Sequence, residues 1–149
     1  MHFDFFAKSG FYDYVGEWNE PPFFREEPVT PKDLALYIAD AALDKHALAL
    51  EIINVEGKVS YADFIVICSG RSARQVDAII EGVESALKQK KIHPLGIEGR
   101  QAGQWVLLDC GDVIFHAFED KKRGFYDLDG LWMDAERLPL PPSTTARRS

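Results

Sequence analysis

One short segment has residue types and a position that suit phosphate binding. Ser69-Gly70-Arg71-Ser72 separates an apolar run from a helical pattern. Backbone N–H groups and the helix dipole can hold a phosphate at such a junction. The segment has no lysine and no multi-glycine loop of the kind that binds nucleotides. The pattern therefore favours an ordinary strand-to-helix turn, with Ser72 as the N-cap of the helix.

Two carboxylates form the second candidate constellation. Asp109 and Asp112 flank a predicted turn, and a pair of carboxylates can hold the magnesium ion of a nucleotidyl-transfer site. Such a pair normally lies at i and i+2 on one strand face, whereas these two are three residues apart. Side chains placed like this usually bond the turn backbone. The alternative hypothesis is thus a nucleotidyltransferase-like enzyme with Ser69-Gly70 holding phosphate and these carboxylates holding Mg²⁺.

Histidines and cysteines indicate no further chemistry. None of the four histidines lies four residues from another histidine or cysteine, which disfavours a zinc site. His116 alternates with apolar neighbours, which is typical of a packed, hydrogen-bonded histidine. Cys68 and Cys110 lie in or beside apolar runs and are expected to be buried thiols. The sequence therefore predicts no catalytic residue, no metal and no cofactor.

The apolar periodicity predicts the elements that must position these residues. Thr30 and Pro31 begin a helix, and a continuous apolar run over 63–69 predicts a strand buried on both faces. The other predicted elements are a strand at 48–55, a helix of about 18 residues after Ser72, a strand at 95–98, a hairpin of 104–109 and 112–118 over Cys110-Gly111, and a last helix at 119–132 with Phe125, Leu128 and Trp132 on one face. This order predicts one α/β domain with a mixed sheet of about five strands and helices packed on it.

Composition and charge limit the class of protein. The chain has 149 residues, is 46% hydrophobic and carries a formal net charge of −7. A general DNA or RNA binder needs a basic surface, so an acidic chain favours a basic protein partner. No apolar run approaches the roughly 20 residues that span a bilayer, and no membrane partner is expected. The N-terminus lacks the pattern of a signal peptide, so the cytoplasm is the expected location.

The chain divides into three segments. Residues 1–31 hold half of the aromatic residues together with several acids and prolines, without a sustained period. This aromatic and acidic extension is typical of a poorly ordered segment, or of an arm that docks on a partner or on its own domain. Residues 32–134 are the predicted domain. Residues 135–149 lack apolar periodicity and are expected to be a disordered tail.

Within the domain, a series of motifs resembles the ribosomal silencing factor (RsfS, Iojap-like) family. The first group is Asp63-Phe64-Ile65-Val66-Ile67-Cys68-Ser69-Gly70, Ser72, Arg74-Gln75-Val76 and Ala78-Ile79. The later groups are Pro94-Leu95-Gly96, Glu98-Gly99, Trp105-Val106-Leu107-Leu108-Asp109, Gly111-Asp112-Val113, His116, Arg123, Tyr126-Asp127-Leu128 and Leu131-Trp132. The resemblance covers about 33–134 in the order of the family.

This resemblance implies a fold and a role. It implies a nucleotidyltransferase-like topology without the catalytic site, and a protein that is often dimeric when free. It also implies binding to the large (50S) ribosomal subunit through a basic protein at the subunit interface, large-subunit protein fourteen. Association with the 30S subunit is then blocked sterically, which represses translation when nutrients are limited. The partner-binding residues carried over are Trp105, Asp109, Tyr126, Asp127, Leu128 and Asp129, the last being a position where the family often has glutamate.

Overall fold

The computed structural model describes residues 29–141, in which both long helices begin at the hydroxyl caps that the sequence predicts. Helix α1 (Pro31–Asp44) follows Thr30, whose Oγ1 accepts a hydrogen bond from the Asp33 backbone N–H at 3.1 Å. Helix α2 (Ala73–Gln89) follows Ser72, whose Oγ accepts from the Gln75 backbone N–H at 3.2 Å. Each cap satisfies an N–H group that has no partner within its own helix.

Five strands form one mixed sheet. They are β1 (Leu48–Asn54), β2 (Phe64–Gly70), β3 (Gly96–Glu98), β4 (Trp105–Asp109) and β5 (Val113–Glu119). Their spatial order is β1-β2-β5-β4-β3, with β2 and β5 parallel and the other pairs antiparallel. All seven residues of β2 are buried, as the continuous apolar run predicts. The predicted α/β class and the five-stranded mixed sheet are confirmed.

Alternation along the strands sends side chains to two different faces of the sheet. On one face, Val66, Val106 and Phe115 join the apolar cluster that includes the buried residues of α1 and α2. On the other face, Ile67 and Phe118 belong to a smaller cluster covered in part by residues that follow β5. One face is thus closed by two long helices, and the other is left partly open over β4 and β5.

The predicted last helix is wrong in its continuity. The structure has two short helices, α3 (Asp120–Tyr126) and α4 (Leu128–Leu131), separated by Asp127 in the left-handed conformation with φ 50°. The carboxylate of Asp127 caps α4 by accepting from the Gly130 backbone N–H at 3.2 Å. Asp residues tolerate this conformation because the short side chain bonds the local backbone. As a result Phe125 is 77% exposed, whereas Trp132 is buried.

The first part of the predicted disordered tail is also wrong. Within 135–149, the structure packs Ala135 into the core and places the next residues beside β1. The Leu138 N–H donates to the Ile52 carbonyl at 2.9 Å, and the Asn54 N–H donates to the Glu136 carbonyl at 2.8 Å. These bonds satisfy backbone groups at an otherwise open sheet edge, which the absence of apolar periodicity did not reveal. Residues 142–149 lie outside the described residues.

The β4–β5 hairpin differs from its prediction by one residue. The Cys110 N–H bonds the Val113 carbonyl at 3.0 Å, so the two loop residues are Gly111 and Asp112 rather than Cys110 and Gly111. Gly111 has φ +87°, and glycine is the residue that tight hairpin turns favour at such a position.

Most of the predicted N-terminal extension 1–31 lies outside the described residues, since the description starts at residue 29. The predictions for its first 28 residues therefore stay predictions. Across residues 29–141, no helix has the length and apolar character needed to cross a membrane.

Candidate functional site

An aromatic cluster lies on the partly open face of the sheet. It consists of Trp105 on β4, His116 and Phe118 on β5, and Tyr126 at the end of α3. The Trp105 ring stacks on Phe118 with centroids 5.1 Å apart and tilts against Tyr126 at 4.6 Å. Trp105 faces Phe118 directly in the antiparallel register, so the strand pairing brings these rings together. Tyr126 is 40% exposed and forms the outer edge of the cluster.

A hydrogen bond joins two members of the aromatic cluster. The Trp105 Nε1–H donates to His116 Nδ1 at 2.9 Å, which makes Nδ1 an acceptor and places the ring proton of a neutral His116 on Nε2. Burial lowers the pKa of His116 to about 4. The prediction of a packed, hydrogen-bonded histidine is confirmed. His116 stays neutral at pH 7 and holds the Trp105 ring in place.

A pocket of about 270 Å³, here called the sheet pocket, opens beside the aromatic cluster. Its wall is mainly apolar, with two carboxylates, Glu98 on β3 and Asp109 at the end of β4. The register explains the placement, because Glu98 lies opposite Leu107 and Leu107 lies opposite His116. The lining residues are Tyr61, Ile65, Glu98, Leu107, Asp109, Ile114, His116, Leu128, Leu131 and Trp132.

A buried arginine anchors α3 and α4 to the sheet. Arg123 makes a bidentate ion pair with Asp129, with Nε and Nη2 at 3.0 and 2.8 Å from the two carboxylate oxygens. Its Nη1 donates to the Ala49 carbonyl on β1 at 2.5 Å and to Ser69 Oγ on β2 at 3.1 Å. Hydrogen bonds from Arg123 lower the pKa of Asp129. The arginine thus ties the turn that carries Tyr126 and Leu128 to two strands at once.

A second arginine extends this network to the C-terminal segment. Arg137 Nε donates to Glu51 Oε1 at 2.8 Å, while Glu51 Oε2 lies 3.7 Å from Arg123 Nη2. Arg137 Nη1 also donates to the Trp132 and Ala135 carbonyls. Glu51 therefore links the arginine under α3 to the segment that follows α4.

Comparison with known proteins identifies the group to which this fold and surface belong. Residues 28–149 match the family model described as ribosomal silencing factor during starvation. The chain belongs to the ribosomal silencing factor (RsfS) family. It is similar to the ribosomal silencing factor RsfS of Zymomonas mobilis, with 41% identity over 113 residues that cover 76% of this chain and 85% of that protein. The family resemblance found in the motifs is confirmed.

Two further relatives extend the RsfS comparison. A crystal structure from Bacillus halodurans superimposes with a TM-score of 0.66 at 32% identity, covering 73% of this chain and 99% of that chain. A mouse protein named mitochondrial assembly of ribosomal large subunit protein 1 is 31% identical over 84 residues. These cover 54% of this chain and 37% of the mouse protein. The family is one of regulators named for ribosome silencing.

The structure brings four of the six carried-over RsfS site residues to one surface. Trp105 and Tyr126 are in contact in the aromatic cluster, and Asp109 and Leu128 line the adjacent sheet pocket. The exposed Asp127 lies in the turn between α3 and α4. Their role in binding stays a prediction.

Asp129 does not have the environment of a free partner-binding carboxylate, the role that the resemblance implies for it. Its carboxylate is paired with Arg123, and its side chain is 30% exposed. The geometry indicates that Asp129 holds this RsfS surface in shape. Nothing in the sequence spacing shows this, because a pair six residues apart is outside the i, i+3 and i, i+4 neighbours of one helix.

Most residues of the sheet pocket are not among the predicted site residues. Glu98, Leu107 and Trp132 are three of them, although all three lie within or beside the family motifs. The alternation of β4 places Leu107 on the same face as Trp105 and Asp109, which is a signal that strand periodicity carries. Pairing of β3 with β4 is needed to bring Glu98 there, and no local pattern predicts that pairing.

The residues of the alternative enzyme hypothesis do not assemble into one site. Ser69 is fully buried, and its hydroxyl accepts a hydrogen bond from Arg123. Gly70 pairs with Glu119, whereas Phe64 at the other end of β2 pairs with Val113, next to Asp112. Six strand residues, or roughly 20 Å, therefore separate the proposed phosphate and magnesium positions.

The side chains of the proposed magnesium pair have turn contacts instead. Asp109 Oδ1 accepts from the Gly111 backbone N–H at 2.9 Å, as expected of a turn carboxylate. Within residues 29–141, no group of three or more His, Cys, Asp and Glu side chains is placed to hold a metal ion.

The two thiols belong neither to the aromatic cluster nor to the lining of the sheet pocket. Cys68 is fully buried, as predicted, and Cys110 is half-buried at the hairpin end. Burial raises the pKa of each thiol to about 12, so both are protonated at neutral pH. A protonated thiol is a poor nucleophile, and neither cysteine has the environment of a reactive one.

Proposed function

We propose that this RsfS-family chain binds the large ribosomal subunit with the aromatic cluster and the sheet pocket. The observation that carries the proposal is a group of partly or fully exposed side chains on the sheet face that the long helices leave open, with the carboxylates of Glu98 and Asp109 beside them. These side chains are Trp105, Leu107, Tyr126 and Leu128. Aromatic anchors next to a pocket are the usual composition of a protein–protein hot spot. The name of the mouse relative, which refers to assembly of the ribosomal large subunit, supports this class of partner.

The direct contact is a basic ribosomal protein at the subunit interface, large-subunit protein fourteen. This chain has a net charge of −7, and carboxylates of Glu98, Asp109 and Asp127 lie at or near the proposed contact surface. Complementary charge raises the association rate and orients the two proteins. An interface of standard size, roughly 1,600 Å² in total, is enough for a specific complex.

Once bound, the protein blocks the 30S subunit sterically and represses translation under nutrient limitation. The description of the matching family, which names starvation, supports this condition. No catalytic step is required for such a block. The homodimer of the free protein and the cytoplasmic location stay predictions that belong to this same proposal.

Sedimentation of purified 50S and 30S subunits under joining conditions tests the function. With the protein present, we expect it to travel with the 50S peak and the 70S peak to decrease. A protein that stays at the top of the gradient while 70S formation is unchanged would contradict the proposal. Each gradient is repeated with the variant Tyr126→Ala.

The Tyr126 variant tests the placement of the interface. Tyr126 is exposed at the edge of the aromatic cluster, so its removal is expected to weaken 50S binding about tenfold or more with little loss of stability. Leu140→Ala, at a residue of similar exposure away from the cluster, is the control and should bind normally. Trp105→Ala is less informative, because it also removes the His116 hydrogen bond and the Phe118 stacking.

A further inference from the structure

The sheet pocket has the size and shape to hold one side chain. Its volume of about 270 Å³ is below the range of about 300–1,000 Å³ that is usual for pockets that bury a small molecule. Its walls are mainly apolar, with residues such as Leu107, Ile114 and Leu128, and it lies beside the aromatic cluster. A pocket of this kind on a protein-binding surface usually receives an anchor residue of the partner.

The charge of the pocket is of one sign. Glu98 and Asp109 line it, and none of the ten lining residues, all within the described part of the chain, is Lys or Arg. Asp109 uses Oδ1 to bond the Gly111 N–H, and the structure gives neither carboxylate an ion pair within residues 29–141. Two acids beside an apolar wall favour a long side chain with an apolar stem and a cationic end.

One residue of the pocket wall, Trp132, has a buried polar atom without a partner. Trp132 is only 8% exposed, and within the described residues its Nε1–H is the buried side-chain group without a hydrogen-bond acceptor. An unpaired buried donor is costly, and native proteins seldom keep one without a reason. Because this nitrogen has less than 1 Å² of accessible surface, the Trp132 ring lines the pocket with its other atoms.

We propose that the sheet pocket receives one lysine or arginine side chain of the large-subunit protein. The apolar stem lies along Leu107 and Leu128, and the cationic group bonds Glu98 and Asp109. This inference rests on the proposed function, since it names the chemistry of the partner at that surface.

Neutral variants of the two carboxylates test the pocket. We expect Glu98→Gln and Asp109→Asn each to weaken binding to purified 50S subunits by roughly tenfold, as the loss of one charge-assisted hydrogen bond does. The double variant should bind more weakly still, and its affinity should depend less on salt concentration. Binding of the double variant within twofold of the unchanged protein would overturn the proposal.

A matched control separates this effect from net charge. Glu56→Gln removes one negative charge from an exposed residue outside the sheet pocket and should bind within about twofold of the unchanged protein. A loss as large as that of Glu98→Gln would show that overall charge, and not the pocket, controls binding. Melting temperatures of all variants are measured to verify that each is folded.

A second measurement distinguishes failure of the pocket proposal from failure of the proposed function. The ¹⁵N-labelled protein is titrated with the peptide acetyl-Gly-Arg-Gly-amide, and the Trp132 indole resonance is followed. It should shift in the unchanged protein and stay in place in the double variant. If the unchanged protein does not bind 50S subunits, the proposed function fails while this titration still decides the pocket. An indole resonance that does not move overturns the pocket proposal.

Discussion

Arg123 helps to hold in place the surface formed by the aromatic cluster and the sheet pocket. It is the only described side chain that bonds β1, β2 and α4 together, through Ala49, Ser69 and Asp129. The Arg123 side chain is 11% exposed and that of Asp129 is 30% exposed, so the ion pair is largely buried. Loss of the guanidinium leaves the Asp129 carboxylate without its partner in this partly buried position. Breaking a buried ion pair from one side is far more costly than breaking a surface pair.

The first prediction compares two arginines. Arg123→Met should lower the free energy of unfolding by about 3 kcal/mol, whereas Arg100→Met should lower it by less than about 1 kcal/mol. Arg100 is the matched control because it also pairs with carboxylates, those of Asp77 and Glu84, but has a side chain that is 35% exposed. Urea unfolding measures both variants, and equal losses would contradict the assigned role of Arg123.

The second prediction concerns pH and His116. The folded protein keeps His116 neutral down to about pH 4, whereas the unfolded chain protonates it near pH 6.5. Protonation of His116 therefore leaves the free energy of unfolding unchanged above about pH 6.5. It lowers that free energy by up to about 3 kcal/mol as the pH falls toward 4. The pKa of Asp129 is also lowered, so the stabilisation by its ionised carboxylate is lost only when the pH falls through that lowered pKa.

The variant His116→Gln isolates this effect. Its amide oxygen can still accept from the Trp105 indole, but it does not titrate. Unfolding free energies measured by urea at pH 7.5, 6.5, 5.5 and 4.5 should decline more steeply for the unchanged protein than for the variant. Parallel pH profiles would mean that His116 is not the group responsible.

At the scale of elements, the β3–β4 connection positions the edge of the surface. Gly99, directly after β3, has φ +82°, and a Cβ there would collide with the Trp105 carbonyl oxygen. This close approach sets how β4 begins, and β4 carries Trp105, Leu107 and Asp109 to the candidate surface. Glycine is required at this position both for its backbone conformation and for space.

The third prediction follows from that approach. Gly99→Ala should lower the free energy of unfolding by more than about 2 kcal/mol, because left-handed backbone and a steric collision combine. Gly57→Ala is the control, since Gly57 has φ +75° but nothing within 4 Å of the added Cβ. It should cost only about 1 kcal/mol. Thermal unfolding distinguishes the two, and similar losses would show that the contact with Trp105 can relax.

The whole molecule depends on residues beyond the predicted domain boundary. Residues 135–138 bond the edge of β1, and Arg137 joins them to the network of Glu51 and Arg123. This segment covers one edge of the sheet and helps to hold the layer that carries the candidate surface. The domain therefore needs its C-terminal segment to close.

The fourth prediction is a pair of truncations. A chain that ends after Asp134 should melt roughly 10 °C lower, from the loss of the edge hydrogen bonds and the Arg137 pair. It should also self-associate, because an uncovered strand edge can pair with another chain. A chain that ends after Pro141 keeps all of these contacts and should melt as the full chain does. Equal melting temperatures for the two truncations would contradict the role of the segment.

Local patterns in the sequence by themselves determined the fold class and most of the elements. Hydroxyl caps at Thr30 and Ser72 and the apolar run of β2 are short-range signals, and each is confirmed in the structure. The family followed from motifs in the correct order along the chain. These features depend on neighbouring residues, so the chain order alone reveals them.

Only the tertiary structure decided how the candidate site is assembled. Pairing of Arg123 with Ser69, separated by 54 residues, and of Arg137 with Glu51, separated by 86, leaves no local pattern. The left-handed Asp127 broke a helix that periodicity alone would continue, and β3–β4 pairing brought Glu98 to the sheet pocket. Contacts between distant residues arise from packing of the whole chain, which no local pattern of residue types reveals.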